Sequence, residues 1–198
     1  MLKITGGIYR SRRINAPKGR HTRPTAEKVR ESLFNVLAHM HPLQGLQVVD
    51  LFAGSGALGI ESLSRGAAHV TFVESHAPTA GLIRGNLKAL EIPRELWRVE
   101  VAHAEKWCQR PETDVAPQVI LADPPYAGEL AAQTLAAIAL NPTLPEGISI
   151  VMECAHRNPP ILPGNLELLQ VKSYGDTDVI FCRKLNQETE QTHNGEDL

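Results

Sequence analysis

The period of apolar and polar positions changes several times along the chain, and each change marks an element. Ile4 to Ile14 reads as a short hairpin, with Gly6-Gly7 as its turn and Ile8, Tyr9 and Ile14 as apolar anchors. Ala16-Pro17-Lys18-Gly19 reads as a loop. A helix follows from about Thr25, a plausible N-cap just after Pro24. Along it Val29, Leu33, Val36, Leu37 and Met40 recur on one face at helical spacing, and Pro42 and Gly45 close the segment.

From there strands and helices alternate. Strands are expected at 47–51, 69–74, 98–101, 118–122 and 148–153. Helices are expected at 57–65, 78–90, 104–108 and 130–140, the second with Pro78 in its first turn. Two further strands, 166–174 and 179–183, flank a Gly175-Asp176 turn. Such alternation predicts an α/β fold with a mostly parallel sheet covered by helices on both faces. The closing pair adds an antiparallel C-terminal hairpin. Three segments result: a basic N-terminal arm over 1–24, a Rossmann-like domain over 25–185, and a polar tail over 186–198 without apolar period.

Bulk properties narrow this picture. The 198 residues are 42% hydrophobic and 21% charged, which suits one compact domain with a real core. No apolar run reaches membrane-spanning length, and Met1-Leu2-Lys3-Ile4-Thr5 lacks a signal-peptide core, so no membrane partner is expected. Cys108, Cys154 and Cys182 form no paired spacing, so neither a disulfide framework nor a metal is expected, and a reducing cytoplasmic setting is. The net charge of −2 conceals an asymmetry. Residues 1–31 hold nine Lys/Arg against Glu27 and Glu31, or +7, leaving −9 elsewhere. That split favours a polyanion on the arm.

Val48 to Gly59 runs from a buried strand through a Gly-rich turn into a helix, as a nucleotide-type cofactor site requires. Gly54, Gly56 and Gly59 have the G-x-G-x-x-G spacing, which alone suggests a dinucleotide. Two carboxylates change that. Asp50 at the strand end would repel a pyrophosphate and suits a cationic aminoacyl group. Glu74 ends the next strand, where it can hold both ribose hydroxyls. Ribose, adenine, a positive charge and no phosphate describe S-adenosylmethionine. Phe52, Ala53, Gly54, Gly56 and Leu58 of the loop join Asp50 and Glu74 as candidate cofactor residues, with His103 and Ala104 after the third strand on the adenine side. Asn86, mid-helix, reads as solvated surface.

Asp123-Pro124-Pro125-Tyr126 follows a buried strand, at the edge where open α/β sheets bind ligands. Each proline forces the residue before it into extended geometry, and neither carries an N–H. A stiff corner results, presenting the Asp123 carboxylate and the Pro124 carbonyl as acceptors. Two acceptors and the Tyr126 ring form a receptor for a planar NH₂: both hydrogens are held, the ring stacks, and the nitrogen lone pair points at a methyl donor.

At this point the chain resembles a known family. The segment from Asp50 to Glu61 together with Asp123-Pro124-Pro125-Tyr126 looks like the bacterial small-subunit ribosomal RNA guanine-N2 methyltransferases of the RsmD type. Ile4-Thr5-Gly6-Gly7, Tyr9-Arg10-Ser11-Arg12, Thr22-Arg23-Pro24-Thr25, the run from Val29 to Asn35 and Tyr174-Gly175-Asp176-Thr177 are similar as well. The resemblance implies a class I Rossmann-like S-adenosylmethionine methyltransferase with a basic N-terminal extension. It implies transfer to one guanine of 16S rRNA, with Arg10, Arg12, Arg13, Arg20 and Arg23 as phosphate contacts. The expected partner is that rRNA, free or in a 30S assembly particle, and the chain is expected to act as a monomer. It also implies that Asp123, Pro124 and Tyr126 hold the guanine amino group. His103 departs from the Asp or Asn usual before that Ala. The corner by itself also fits a DNA adenine-N6 or cytosine-N4 methyltransferase or, with Asn in place of Asp123, a protein glutamine methyltransferase. A non-catalytic RNA-binding module of the same fold is the alternative outside enzymes.

Overall fold

The computed structural model describes residues 1–17, 24–110, 116–125 and 129–186. Arg20, Arg23, Tyr126 and all of the polar tail beyond 186 lie outside the described residues. Two short strands open the chain, β1 (Leu2–Lys3) and β2 (Arg13–Ile14), paired antiparallel. Helix α1 (Pro24–Met40) follows. The main sheet is built from β3 (Gln47–Leu51), β4 (His69–Glu74), β5 (Trp97–Val101), β6 (Val119–Ala122), β7 (Ser149–Ala155), β8 (Leu166–Tyr174) and β9 (Thr177–Lys184). Between them run α2 (Ala57–Ser64), α3 (Ala77–Ala89), α4 (Ala104–Cys108) and α5 (Glu129–Leu140).

The sheet order is β5-β4-β3-β6-β7-β9-β8. Pairing is parallel from β5 to β7 and antiparallel at β7–β9 and β9–β8, so the expected closing hairpin is present. The crossovers between parallel strands carry α2 and α3 to one face and α4 and α5 to the other, and the buried strands read accordingly as apolar runs. Alternation sorts their side chains. Val48, Val119, Leu121, Val179 and Phe181 join the core beneath α1, α2 and α3. Val49, Leu51, Ile120, Ile180 and Cys182 join the core beneath α4 and α5. Burial pushes the Cys108 thiol to about 12 and the Cys154 and Cys182 thiols to about 11. No helix among the described residues is long and apolar enough to cross a membrane.

Most predicted elements appear within a residue or two. Three side chains do not sit where the pattern put them. Ile8 is 79% exposed, because the arm turns its backbone and not this side chain toward the domain. Met40 is exposed, since α1 outruns the core it covers. Asn86 is 2% exposed instead of solvated, because its amide bonds the Asn15 and Ser55 backbone.

Candidate active site

Strand order reverses between β3 and β6, and a cleft opens beyond the carboxyl ends of these neighbours, where Leu51 lies beside Ala122. The glycine loop leaves β3 and the Asp-Pro-Pro corner leaves β6, so the two motifs face one cleft although they lie far apart in the chain. Gly56 caps α2 in the left-handed region, at φ 79°. Gly59 answers a different need: a Cβ there would stand 2.3 Å from a ring carbon of Phe72, so only glycine lets α2 lie against β4. Phe52 also has positive φ, 58°, which is strained for a residue with a side chain and sets its ring at the cleft.

Glu74 and Asp50 divide the loop between them. The Gly54 N–H donates to Glu74 Oε2 at 2.9 Å and the His76 N–H to Oε1 at 2.8 Å. Both oxygens are thereby fixed, each with acceptor capacity left for a ligand. Asp50, 1% exposed, accepts the Gly59 N–H at 2.8 Å at the start of α2. Burial pushes its carboxyl well above the usual carboxylate range; the Gly59 bond opposes this, and the nearby Asp123 and Glu74 charges add to it.

The cavity at this edge holds about 470 Å³, in the range of small-ligand sites. Of the predicted cofactor residues, Phe52, Gly54, Glu74, His103 and Ala104 line it. Asp50, Ala53, Gly56 and Leu58 are instead buried beneath the loop and shape it from behind. His103 precedes α4 with its ring 64% exposed and 3.8 Å from Glu105. Sequence reasoning missed Ser75, Thr79, Leu130 and, least expected, Pro17 from the arm. Ser75 follows Glu74 directly and could have been inferred from it; Pro17 carries no local signal.

At the corner, Asp123 is half-buried, Pro124 buried, and Pro125 exposed on the cavity wall. Asp123 is electrostatically coupled to Asp50. Pro125 of the corner and Glu74 of the cofactor loop thus line one cavity, with Asp123 beside Asp50 at its edge. No group of His, Cys, Asp and Glu suited to a metal occurs among the described residues.

The arm is fastened to the domain. Glu61, fully buried on α2, accepts the Thr5 N–H and the Thr5 hydroxyl, both at 2.8 Å, and the Arg65 Nε–H at 2.9 Å. Ser64 receives the Ile8 and Tyr9 N–H groups and donates to the Gly6 carbonyl. Arg30, one of the basic residues counted in the +7 excess, is internal: it donates to the Lys3 carbonyl and lies 3.6 Å from Glu61. Arg10, Arg12 and Arg13 are exposed on the arm's surface.

A seven-stranded sheet in this order, with the glycine loop and the Asp-Pro-Pro corner on its carboxyl edge, has the Rossmann-like methyltransferase fold. The solved structure of yhhF from Escherichia coli superposes with a TM-score of 0.81 at 31% identity, over 94% of this chain and 99% of that one. "Ribosomal RNA small subunit methyltransferase D" of Haemophilus influenzae is 33% identical over 88% of this chain and 89% of its own length. The protein of the same name from Escherichia coli K12 is 33% identical over 88% and 85%. Residues 2–183 match the family described as conserved hypothetical protein 95, and the chain belongs to this family, that of the RsmD proteins.

Proposed function

We propose that the protein transfers a methyl group from S-adenosylmethionine to the exocyclic N2 amino group of a guanine in small-subunit rRNA. The observation that carries this is the shared cavity, lined by Phe52, Gly54 and Glu74 on the glycine-loop side and by Pro125 of the Asp-Pro-Pro corner on the other. Family membership and the names of the relatives support the RNA half of the reading.

The residues fit the donor. A cavity floor without a Cβ at Gly54, and a buried Glu74 with both oxygens anchored yet facing the cavity, suit a ribose diol. The His103–Ala104 turn takes the adenine side. When bound, S-adenosylmethionine supplies an electrophilic methyl on a sulfonium. The chain's own residues do the rest. Asp123 and the Pro124 carbonyl accept the two N–H groups of the guanine amine and fix its lone pair toward the donor. Tyr126 stacks on the base. As the amine is methylated it becomes acidic, and Asp123 takes its proton. Orientation of the two reactants can supply about 7–11 kcal/mol of the barrier. The guanine must leave its stack to reach the corner, and Arg10, Arg12, Arg13, Arg20 and Arg23 hold the flanking phosphates.

The test is nucleoside mass spectrometry of rRNA from a deletion strain. Small-subunit rRNA lacking one N2-methylguanosine, restored by purified protein and labelled S-adenosylmethionine, is the expected result. Label in DNA or protein with none in RNA would sink the proposal.

A further inference from the structure

We infer that Asn86 is a positioning residue that makes the N-terminal arm a wall of the cofactor site. The inference rests on the S-adenosylmethionine reading of that cavity. Asparagine in a helix interior costs helix stability unless its side chain finds other work. Here every hydrogen-bonding direction but one is used. Asn86 Nδ2 donates to the Asn15 carbonyl and to the Ser55 carbonyl, each at 2.9 Å, and Oδ1 accepts the Asn15 N–H at 2.9 Å. One amide thus holds both backbone groups of an arm residue and a carbonyl of the glycine loop.

Both attachments lead to the cavity. Ser55 is flanked by Gly54, which lines the cavity and is itself held by Glu74. Two residues beyond Asn15, Pro17 lines the same cavity from the opposite chain segment. The beginning of the arm is fixed separately, on Glu61 and Ser64. Asn86 therefore fixes the arm's exit, and with it the distance between the Pro17 wall and the loop. Ligand in the cavity and a docked arm must then stabilise one another, and the linkage is reciprocal. RNA gripping Arg10, Arg12 and Arg13 would in the same way hold the cavity closed on its cofactor.

The full chain serves for the test, with S-adenosylmethionine affinity by calorimetry and tryptic cleavage after Arg12 and Arg13 as readouts. In the wild type, saturating S-adenosylhomocysteine slows that cleavage several-fold. Asn86→Ala weakens S-adenosylmethionine binding about tenfold, because Ser55 and Asn15 are left unpaired, and abolishes the protection. Pro17→Gly weakens binding about threefold, and adding it to Asn86→Ala costs little more, since the wall is already loose. Independent effects that multiply in the double variant overturn the inference, as does wild-type cleavage unmoved by bound ligand. Should Asn86→Ala fail to fold, the protection experiment on the wild type and the Pro17→Gly affinity decide alone. Wild-type protein that binds no S-adenosylmethionine overturns instead the cofactor reading itself.

Discussion

On the glycine-loop side of the cleft, three side chains from three elements hold the loop by its backbone: Glu74 at Gly54, Asn86 at Ser55 and Asp50 at Gly59. On the Asp-Pro-Pro side, stiffness comes from the covalent geometry of two prolines, and the surface opens from buried Pro124 to exposed Pro125. The difference matches what each side has to receive. A small ligand that comes and goes is bound best by donors and acceptors already in place, since little ordering remains to be done on binding. Under the proposed function, a base on a large polyanion arrives with its own bulk, and the arm's arginines would position it. The corner then needs only a few acceptors at the right angle.

The strongest way to break this comparison is to remove an acceptor from each side. Asp123→Ala should lower turnover by roughly 10²–10⁴-fold, the usual worth of a positioned proton acceptor, with S-adenosylmethionine affinity changed less than about threefold. Asp50→Ala should act on the fold instead. It leaves the buried Gly59 N–H without its partner, costs about 1–3 kcal/mol, and lowers the melting temperature together with cofactor affinity. Single-turnover rates and calorimetry on both variants check this. Equal loss of cofactor binding in the two would show that the sides are not separable.

The arm supplies the next test. Replacing Arg10, Arg12 and Arg13 with Ala should weaken rRNA binding and lower the slope of log affinity against log salt by about 2, as expected when three arginines no longer neutralise phosphates of a single strand. Cofactor affinity without RNA should hardly move: the variant loses the long, exposed Arg12 Nη2 bond to the Ala89 carbonyl at 3.4 Å, while the arm's anchors at Thr5, Ser64 and Asn86 persist. Filter binding at stepped salt measures the slope; an unchanged slope removes the arm from the RNA surface.

Much of this was legible in the sequence, and the gaps have a common cause. Strand and helix periods located the sheet, because a strand buried on both faces reads as an apolar run. Asp50, Glu74 and Asp123 could be placed near the cleft because each sits at a strand's carboxyl end, a position that local pattern locates. Pro17 and Asn86 were not, because their work depends on contacts across 71 positions between Asn15 and Asn86. Ile8 and Arg30 erred in opposite senses. Ile8 follows a turn whose peptide groups bond Ser64, which points its side chain outward, whereas Arg30 is counted as surface charge by composition but bonds Lys3 and Glu61 inside. Composition cannot tell a charge that faces solvent from one that fastens the arm.

The smallest expected effect is the one most specific to the cofactor side. Asp50 keeps its proton above the usual carboxylate range, chiefly because it is buried. For an acid whose folded pKa is raised, stability falls as pH climbs from the unfolded value through the folded one. The ligand-free protein should therefore lose stability over that window, and Asp50→Asn, which keeps an acceptor for Gly59, should lose less. A cation bound nearby favours the ionised form and expels the proton. S-adenosylmethionine carries a sulfonium charge that S-adenosylhomocysteine lacks, so its affinity should rise relative to the product's over the same window, by less than about tenfold. Paired titrations at stepped pH measure the ratio. A ratio that rises in the wild type and stays flat in Asp50→Asn assigns the linkage to this carboxyl; one that rises equally in both places it elsewhere in the cleft. In that second case the division drawn between the two halves of the cleft would hold for hydrogen bonding but not for charge.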